Sequence, residues 1–160
     1  MSRIKYLVMD VDGTLTDGKI YMGENGEVMK AFNIKDGYAI SHILSAHGIV
    51  PIVITGRKSR IVENRCKELG IIEVHQGCLD KKEKLLEILK KYGEDTSGEK
   101  ISSCACIGDD ILDIPLMEVC EVSGCPQDAV DEVKENTAYV SQYRGGEGAV
   151  REFVEWILEQ

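Results

Sequence analysis

The 160-residue sequence is 43% hydrophobic and 29% charged, an ordinary composition for one globular domain with a real core. Its formal net charge of −9 argues against nucleic acid as the main partner, because phosphate backbones attract basic surfaces. No apolar run approaches the ~20 residues of a membrane span, and the opening "MSRIKYLVMD" is too short and too soon charged for a signal peptide.

Strand and helix signals then alternate along the chain. "IKYLVMD" is a short apolar run ending in turn chemistry and reads as a buried strand. "KIYMGENGEVMKAF" holds two β-prone runs around "GENGE", where Asn25-Gly26 predicts a hairpin turn. "DGYAISHILSAHG" reads as a helix with Asp36 as its N-cap and Gly48 as its stop. Next come the strand "IVPIVITG", the amphipathic helix "RKSRIVENRCKELG" closed by Gly70, the short strand "IIEVHQ" and the helix "DKKEKLLEILKKYG". Polar "EDTSGEK" is a surface loop. Beyond it lie the strand "ISSCACIGDD", the helix "ILDIPLMEVC" with Pro115 in its first turn, the strand "CEVSGCP", the short helix "DAVDEVKEN", an edge strand "TAYVS" and the final amphipathic helix "GEGAVREFVEWILEQ".

Apolar strands alternating with helices predict an α/β fold of three α/β/α layers around a parallel sheet. Ligands of such sheets bind beyond the carboxyl ends of the strands. That edge should collect Asp10 and Asp12 from the first strand, Thr55 and Gly56 from the second, Lys81 from the helix after the third, and Asp109 and Asp110 from the fourth. Clustered carboxylates repel unless a cation shares the site. An all-oxygen set suits Mg²⁺, with the side chains of Asp10 and Asp109 and the backbone carbonyl of Asp12 as ligands. Lys81, the Thr55 hydroxyl and the turn amides at Gly56 suit a phosphoryl group. A second carboxylate two residues after the first makes sense if Asp10 attacks phosphorus and Asp12 moves protons.

Four stretches carry a resemblance: "DVDGT", "ITGR", "DKKEK" and "GDDILD" stand in the order of the haloacid-dehalogenase (HAD) superfamily's motifs. Further stretches, "DGKIYMGENGEVMKAFNIKDGYAI", "TGRKSRIVENRCKELGI", "QGCLDK" and "RGGEGAVREF", resemble its cap-less (C0) branch of 3-deoxy-D-manno-octulosonate 8-phosphate (KDO 8-phosphate) phosphatases over nearly the whole chain. The resemblance implies a Rossmann-like HAD fold, Asp10 as nucleophile, Asp12 as acid/base, Asp109 as metal ligand, phosphate held by Thr55 and Lys81, and Asp110 and Asp113 as supporting residues. It also implies a phosphorylated keto sugar acid as substrate and a homotetramer in which the hairpin packs against its copies. Residues 1–160 are expected to form a single phosphatase domain, with the hairpin, about residues 18–32, as its flap. The short segments between Asp12, Thr55 and Lys81 leave no room for a cap domain.

Other residues divide between chemistry and structure. Arg57, next to Thr55-Gly56, suits the substrate carboxylate through its planar fork; Arg65, on the same helix, would act across a subunit interface. Asp17 and Asp36 read as turn or cap residues, Lys82 as solvated, and His42, His47 and His75 as structural. The glycines after Arg144 permit a close approach to a neighbour's pocket. Cys66, Cys78, Cys104, Cys106, Cys120 and Cys125 lack zinc spacing and read as small buried hydrophobes in a reducing cytoplasm. Three rival readings are weighed by the same residues. A nine-carbon, sialic-type keto acid 9-phosphate substrate is disfavoured because those relatives tend to carry glutamate at the Arg57 position. A response-regulator receiver domain is disfavoured because its acceptor aspartate ends a middle strand. A non-catalytic tetramerisation module of a nucleotide-sugar synthetase would be expected to lose one of Asp10, Asp12 and Asp109.

Overall fold

The computed structural model describes residues 4–160. Part of the signal-peptide reading falls on residues 1–3, outside the described range.

The chain opens with β1 (Tyr6–Met9), whose four residues are all buried. A hairpin follows, β2 (Tyr21–Gly23) and β3 (Gly26–Met29), then α1 (Ile34–Tyr38), a π-helical turn over Ala39–Ile43 and α2 (Leu44–Ala46). Next come β4 (Val50–Ile54), α3 (Arg60–Glu68), β5 (Glu73–His75) and α4 (Lys81–Lys91). The second half holds β6 (Ile101–Ile107), a 3₁₀ turn at Ile111–Asp113, α5 (Ile114–Val119), β7 (Cys120–Cys125), α6 (Asp131–Glu135), β8 (Tyr139–Val140) and α7 (Ala149–Glu159). Six strands form one sheet in the order β5-β4-β1-β6-β7-β8, and each paired neighbour runs parallel. The hairpin is a separate two-stranded ribbon.

Period-two alternation in β1 sorts the core into two layers. Leu7 and Met9 face Val150, Phe153, Val154 and Ile157 of α7, with Ile40, Leu44 and Val62. Tyr6 and Val8 face Leu85, Ile88 and Leu89 of α4, with Leu116 and Met117 of α5. Complete burial of a side chain such as Phe153 is worth about 1.5–3 kcal/mol, and Phe153 is fully buried. Helices therefore cover both faces, as strand–helix alternation predicted. Between β1 and β4 stand only the hairpin and a short helical segment, so no cap domain is built there.

Register then fixes the working edge. Met9 lies opposite Val53 of β4 and Ile107 of β6. The residues after those positions therefore leave the sheet side by side.

One local expectation is corrected. Asp36 does not cap its own helix. The helix starts earlier, at Ile34, with Asn33 as the cap whose side chain accepts from the Lys35 N–H. Asp36 is buried, and its Oδ1 accepts the Arg151 N–H of α7 at 2.9 Å. Burial pushes its carboxyl up to about 6, against the opposing pull of the α7 amides. The glycines after Arg144 approach the chain's own first loop: a Cβ on Gly145 would lie 2.0 Å from the carbonyl oxygen of Gly13. Cys104, Cys106, Cys120 and Cys125 lie together in the core layer beneath α4 and α5, all as free thiols.

Candidate active site

Asp10 leaves β1 buried, its N–H bonded to the Ile107 carbonyl of β6 at 3.2 Å. The chain then turns back on itself: the N–H groups of Thr14, Leu15 and Thr16 all point to the Val11 carbonyl, at 3.1, 2.9 and 3.1 Å. Gly13 makes this turn at φ 88°, and a Cβ there would lie 2.0 Å from Asp109 Oδ2. Glycine is thus required twice, for its backbone angle and for the approach of Asp109.

At the end of β6, Asp109 accepts the Thr14 hydroxyl at 3.1 Å. Asp113, in the turn that follows, takes the N–H groups of Asp109 and Asp110 on one oxygen, at 3.0 and 3.2 Å. Its other oxygen takes Lys81 Nζ at 2.6 Å, and the same ammonium donates to Asp10 Oδ1 at 2.9 Å. Lys81 owes its place to α4, which Asp80 caps by accepting the Glu83 N–H at 2.9 Å. Burial alone would lower the Lys81 pKa; the charges of Asp10 and Asp113 outweigh it and raise it.

Carboxylate oxygens of Asp10, Asp109 and Asp113 lie within 4.8 Å of one another. Burial, and then the negative charge of Asp10, push the Asp109 carboxyl up to about 8. Burial, and then Asp10 again, raise Asp113 against the pull of Lys81. One ammonium thus stands against three carboxylates, a deficit that a divalent cation would remove. The donors are all oxygen, the set preferred by hard cations. Both Asp113 oxygens are already engaged by Lys81 and by backbone N–H groups. Asp10 and Asp109 are therefore the side chains free to turn to a cation, and Asp113 holds the loop and the lysine.

The flanks are polar as well. Thr55, the residue after β4, is buried, with its N–H on the His75 carbonyl at 2.9 Å and its own carbonyl accepting the Cys78 N–H at 3.0 Å. Half-buried Gly56 follows, then exposed Arg57, whose guanidinium lies 3.5 Å from Glu27 and 3.9 Å from Asp12. The geometry suits an anion seated between Lys81, Thr55 and a cation at Asp10 and Asp109, with Asp12 at its open side.

No protein-family model matches the chain. The 3-deoxy-D-manno-octulosonate 8-phosphate phosphatase KdsC of Salmonella typhi is 42% identical over 155 residues, 97% of this chain and 79% of that protein. The chain belongs to the KDO 8-phosphate phosphatase family. A crystal structure of the family's Moraxella catarrhalis member, in complex with magnesium ion, phosphate ion and KDO, is similar with a TM-score of 0.91 and 37% identity, over 99% of this chain and 87% of that one. A Legionella pneumophila protein described as a HAD superfamily (subfamily III A) hydrolase has a TM-score of 0.91 and 33% identity, over 99% and 84%. The phosphatase family thus sits within the HAD fold that the four motifs implied.

In this member of the KDO 8-phosphate phosphatase family, Asp10, Asp109 and Lys81 come together, with Thr55 and Gly56 at the end of the neighbouring strand. The carboxylate of Asp12 lies outside the close cluster and meets Lys30 Nζ at 2.5 Å, which leaves its backbone carbonyl, the atom expected of it, for a cation. Asp113, expected only as support, has its carboxylate inside the cluster. Exposed Asp110 accepts the Ile111 N–H at 2.8 Å and caps the 3₁₀ turn.

Arg65 is not brought to this edge. It lies over the Phe32 ring, 5.6 Å from its centroid, and its Nε is buried without a partner among the described residues. Lys82 is exposed, as expected. Sequence reasoning missed Lys30, which meets Asp12, and Glu27 and Ser59, which are linked to Asp12 through Lys30. The one available signal was a lysine and a glutamate on a hairpin that follows closely after the first strand-end aspartates.

Proposed function

We propose that this chain hydrolyses KDO 8-phosphate to KDO and inorganic phosphate, by way of an aspartyl-phosphate at Asp10. The observation that carries the reading is the buried Asp10–Lys81–Asp113–Asp109 cluster, in a chain similar to a relative that binds magnesium, phosphate and KDO. Asp10 and Asp109, with the Asp12 carbonyl, would hold Mg²⁺, which neutralises phosphate charge and so lets an anionic nucleophile approach. A carboxylate oxygen of Asp10 attacks phosphorus, the P–O bond to the sugar breaks, and Asp12 donates its proton to the departing oxygen. Asp12 then takes a proton from water as that water attacks the acyl-phosphate and releases phosphate. Lys81, Thr55 and Gly56 bind the phosphoryl oxygens.

Phosphate release from eight- and nine-carbon keto acid phosphates is the test of substrate. The eight-carbon ester should have the higher kcat/KM, and a preference for the nine-carbon ester would move the assignment. Excess chelator should stop the reaction and Mg²⁺ restore it; full activity in chelator would remove the metal from the scheme.

Arg57 is proposed to hold the substrate carboxylate. Its contacts to Glu27 and Asp12 are long and its side chain is half exposed, so it is free to turn to a ligand. A charge-assisted hydrogen bond is worth about 1.5–3 kcal/mol, about ten- to a hundredfold. Arg57→Ala should lower kcat/KM for KDO 8-phosphate by that factor. It should spare a pentose 5-phosphate, which has the same kind of leaving oxygen and no carboxylate. Equal losses on both would place Arg57 elsewhere in the chemistry.

Residues 1–160 are proposed as one phosphatase domain that works as a homotetramer in the cytoplasm. Met22, Val28 and Met29 expose apolar surface on a two-stranded ribbon that is marginal alone. Copies of the chain would cover it and close the site. Light scattering at working concentration should give a tetramer, and a fully active monomer would refute the assembly. The free, mostly buried cysteines support a reducing compartment. No helix among the described residues is long and apolar enough to cross a membrane.

A further inference from the structure

Lys30 follows the second strand of the hairpin, and only 1% of its side chain is exposed. A buried ammonium is costly unless it is paired, and this one is paired twice: Nζ donates to Asp12 Oδ1 at 2.5 Å and to Glu27 Oε2 at 3.0 Å. The other oxygen of Glu27 accepts the Ser59 hydroxyl at 3.2 Å, which ties the hairpin to the residue ahead of α3. Arg57 lies between the same two carboxylates, 3.5 Å from Glu27 and 3.9 Å from Asp12. Two carboxylates and two cations thus alternate around a ring, and Asp12 is the member nearest the reacting centre in sequence, two residues after Asp10.

None of the four ring residues belongs to either core layer. Val28 and Met29 beside it are exposed, and the hairpin shares no sheet with β1. Its effect is on Asp12. Left alone on a turn beside Asp10, a second carboxylate would be driven outward by like charge. Lys30, itself fixed by Glu27, gives that carboxylate one direction.

We propose that Lys30 is the positioning residue of Asp12: through Lys30 and Glu27, the hairpin holds the Asp12 carboxyl where it meets the leaving oxygen and the attacking water. This rests on the reading of Asp12 as the acid/base. It makes the hairpin a working part of the site in addition to an assembly surface. Misplacement of a reacting group by about 1 Å costs about 10²-fold in rate, so loss of the tether should be felt in turnover without any contact between Lys30 and substrate.

The experiment compares two leaving groups. The quantity kcat/KM reports the steps through phosphoryl transfer. An alkoxide leaving from KDO 8-phosphate needs a proton from Asp12, whereas p-nitrophenolate leaves without one. Lys30→Met, with Mg²⁺ present, should lower kcat/KM for KDO 8-phosphate about ten- to a hundredfold and leave that for p-nitrophenyl phosphate nearly unchanged. In an Asp12→Asn background the same substitution should cost nothing more, because the group it positions is gone. Lys30→Arg should recover part of the loss, and Glu27→Gln should give a smaller loss with the same split.

Equal losses on both esters, losses that multiply in the double variant, or no loss at all would each overturn the proposal. If Asp12→Asn itself fails to split the two esters, the acid/base reading falls first and the Lys30 role with it. If Lys30→Met does not fold, as judged by its thermal transition, Glu27→Gln carries the same comparison.

Discussion

Asp10→Asn is expected to abolish phosphate release while the protein keeps its fold. An amide has nearly the volume of a carboxylate and is a poor nucleophile, so the loss should exceed about 10⁴-fold. The fold survives for reasons visible in the contacts. Lys81 keeps Asp113 at 2.6 Å, and the amide oxygen can still accept from its ammonium. The negative charge removed is one that pushes Asp109 and Asp113 up, so the cluster is relieved of repulsion. Phosphate assay together with circular dichroism checks both halves. Normal phosphate release by a folded Asp10→Asn protein would dismiss the covalent route.

Asp12→Asn is the second large effect. Loss of one general acid/base costs about 10²–10⁴ in rate, and the full figure should fall on KDO 8-phosphate because its sugar oxygen is a poor leaving group. The substitution should leave substrate binding nearly intact, since Asp10, Asp109 and Lys81 do not depend on the Asp12 carboxylate. With an activated ester, phosphoryl transfer to Asp10 should proceed and its hydrolysis should lag, so a phosphorylated protein should accumulate. An unchanged rate on KDO 8-phosphate would move the proton-transfer role to another residue.

What the sequence made legible follows from how parallel sheets are built. Short apolar runs that stop at Asp10, Thr55 and Asp109 identify strands, and parallel register puts their ends on one edge. Lys81 was legible as the opening of the helix after the third strand, and the family resemblance chose it over its neighbour Lys82. The obscure parts depend on distant segments. Lys30 meets Asp12 only once the hairpin has folded back over the first loop, and no local spacing encodes that. Asp36 looked like the cap of the nearest helix, yet its partner is Arg151, 115 residues away in sequence. Gly145 lies against Gly13 for the same kind of reason: the α7 entry crosses the first loop. Arg65 was read on one helix with Arg57, but α3 begins only at Arg60 and Arg65 turns to Phe32, a contact that a helical pattern does not contain.

The central claim is that the phosphoryl group passes through Asp10, and a label transfer tests it most directly. Asp12→Asn protein is incubated with Mg²⁺ and p-nitrophenyl phosphate carrying labelled phosphorus, quenched in acid and digested. The account predicts label on the peptide containing Asp10, released by hydroxylamine as expected of an acyl-phosphate. Label on another residue, or p-nitrophenol released over many turnovers with no label on the protein at any time, would contradict it.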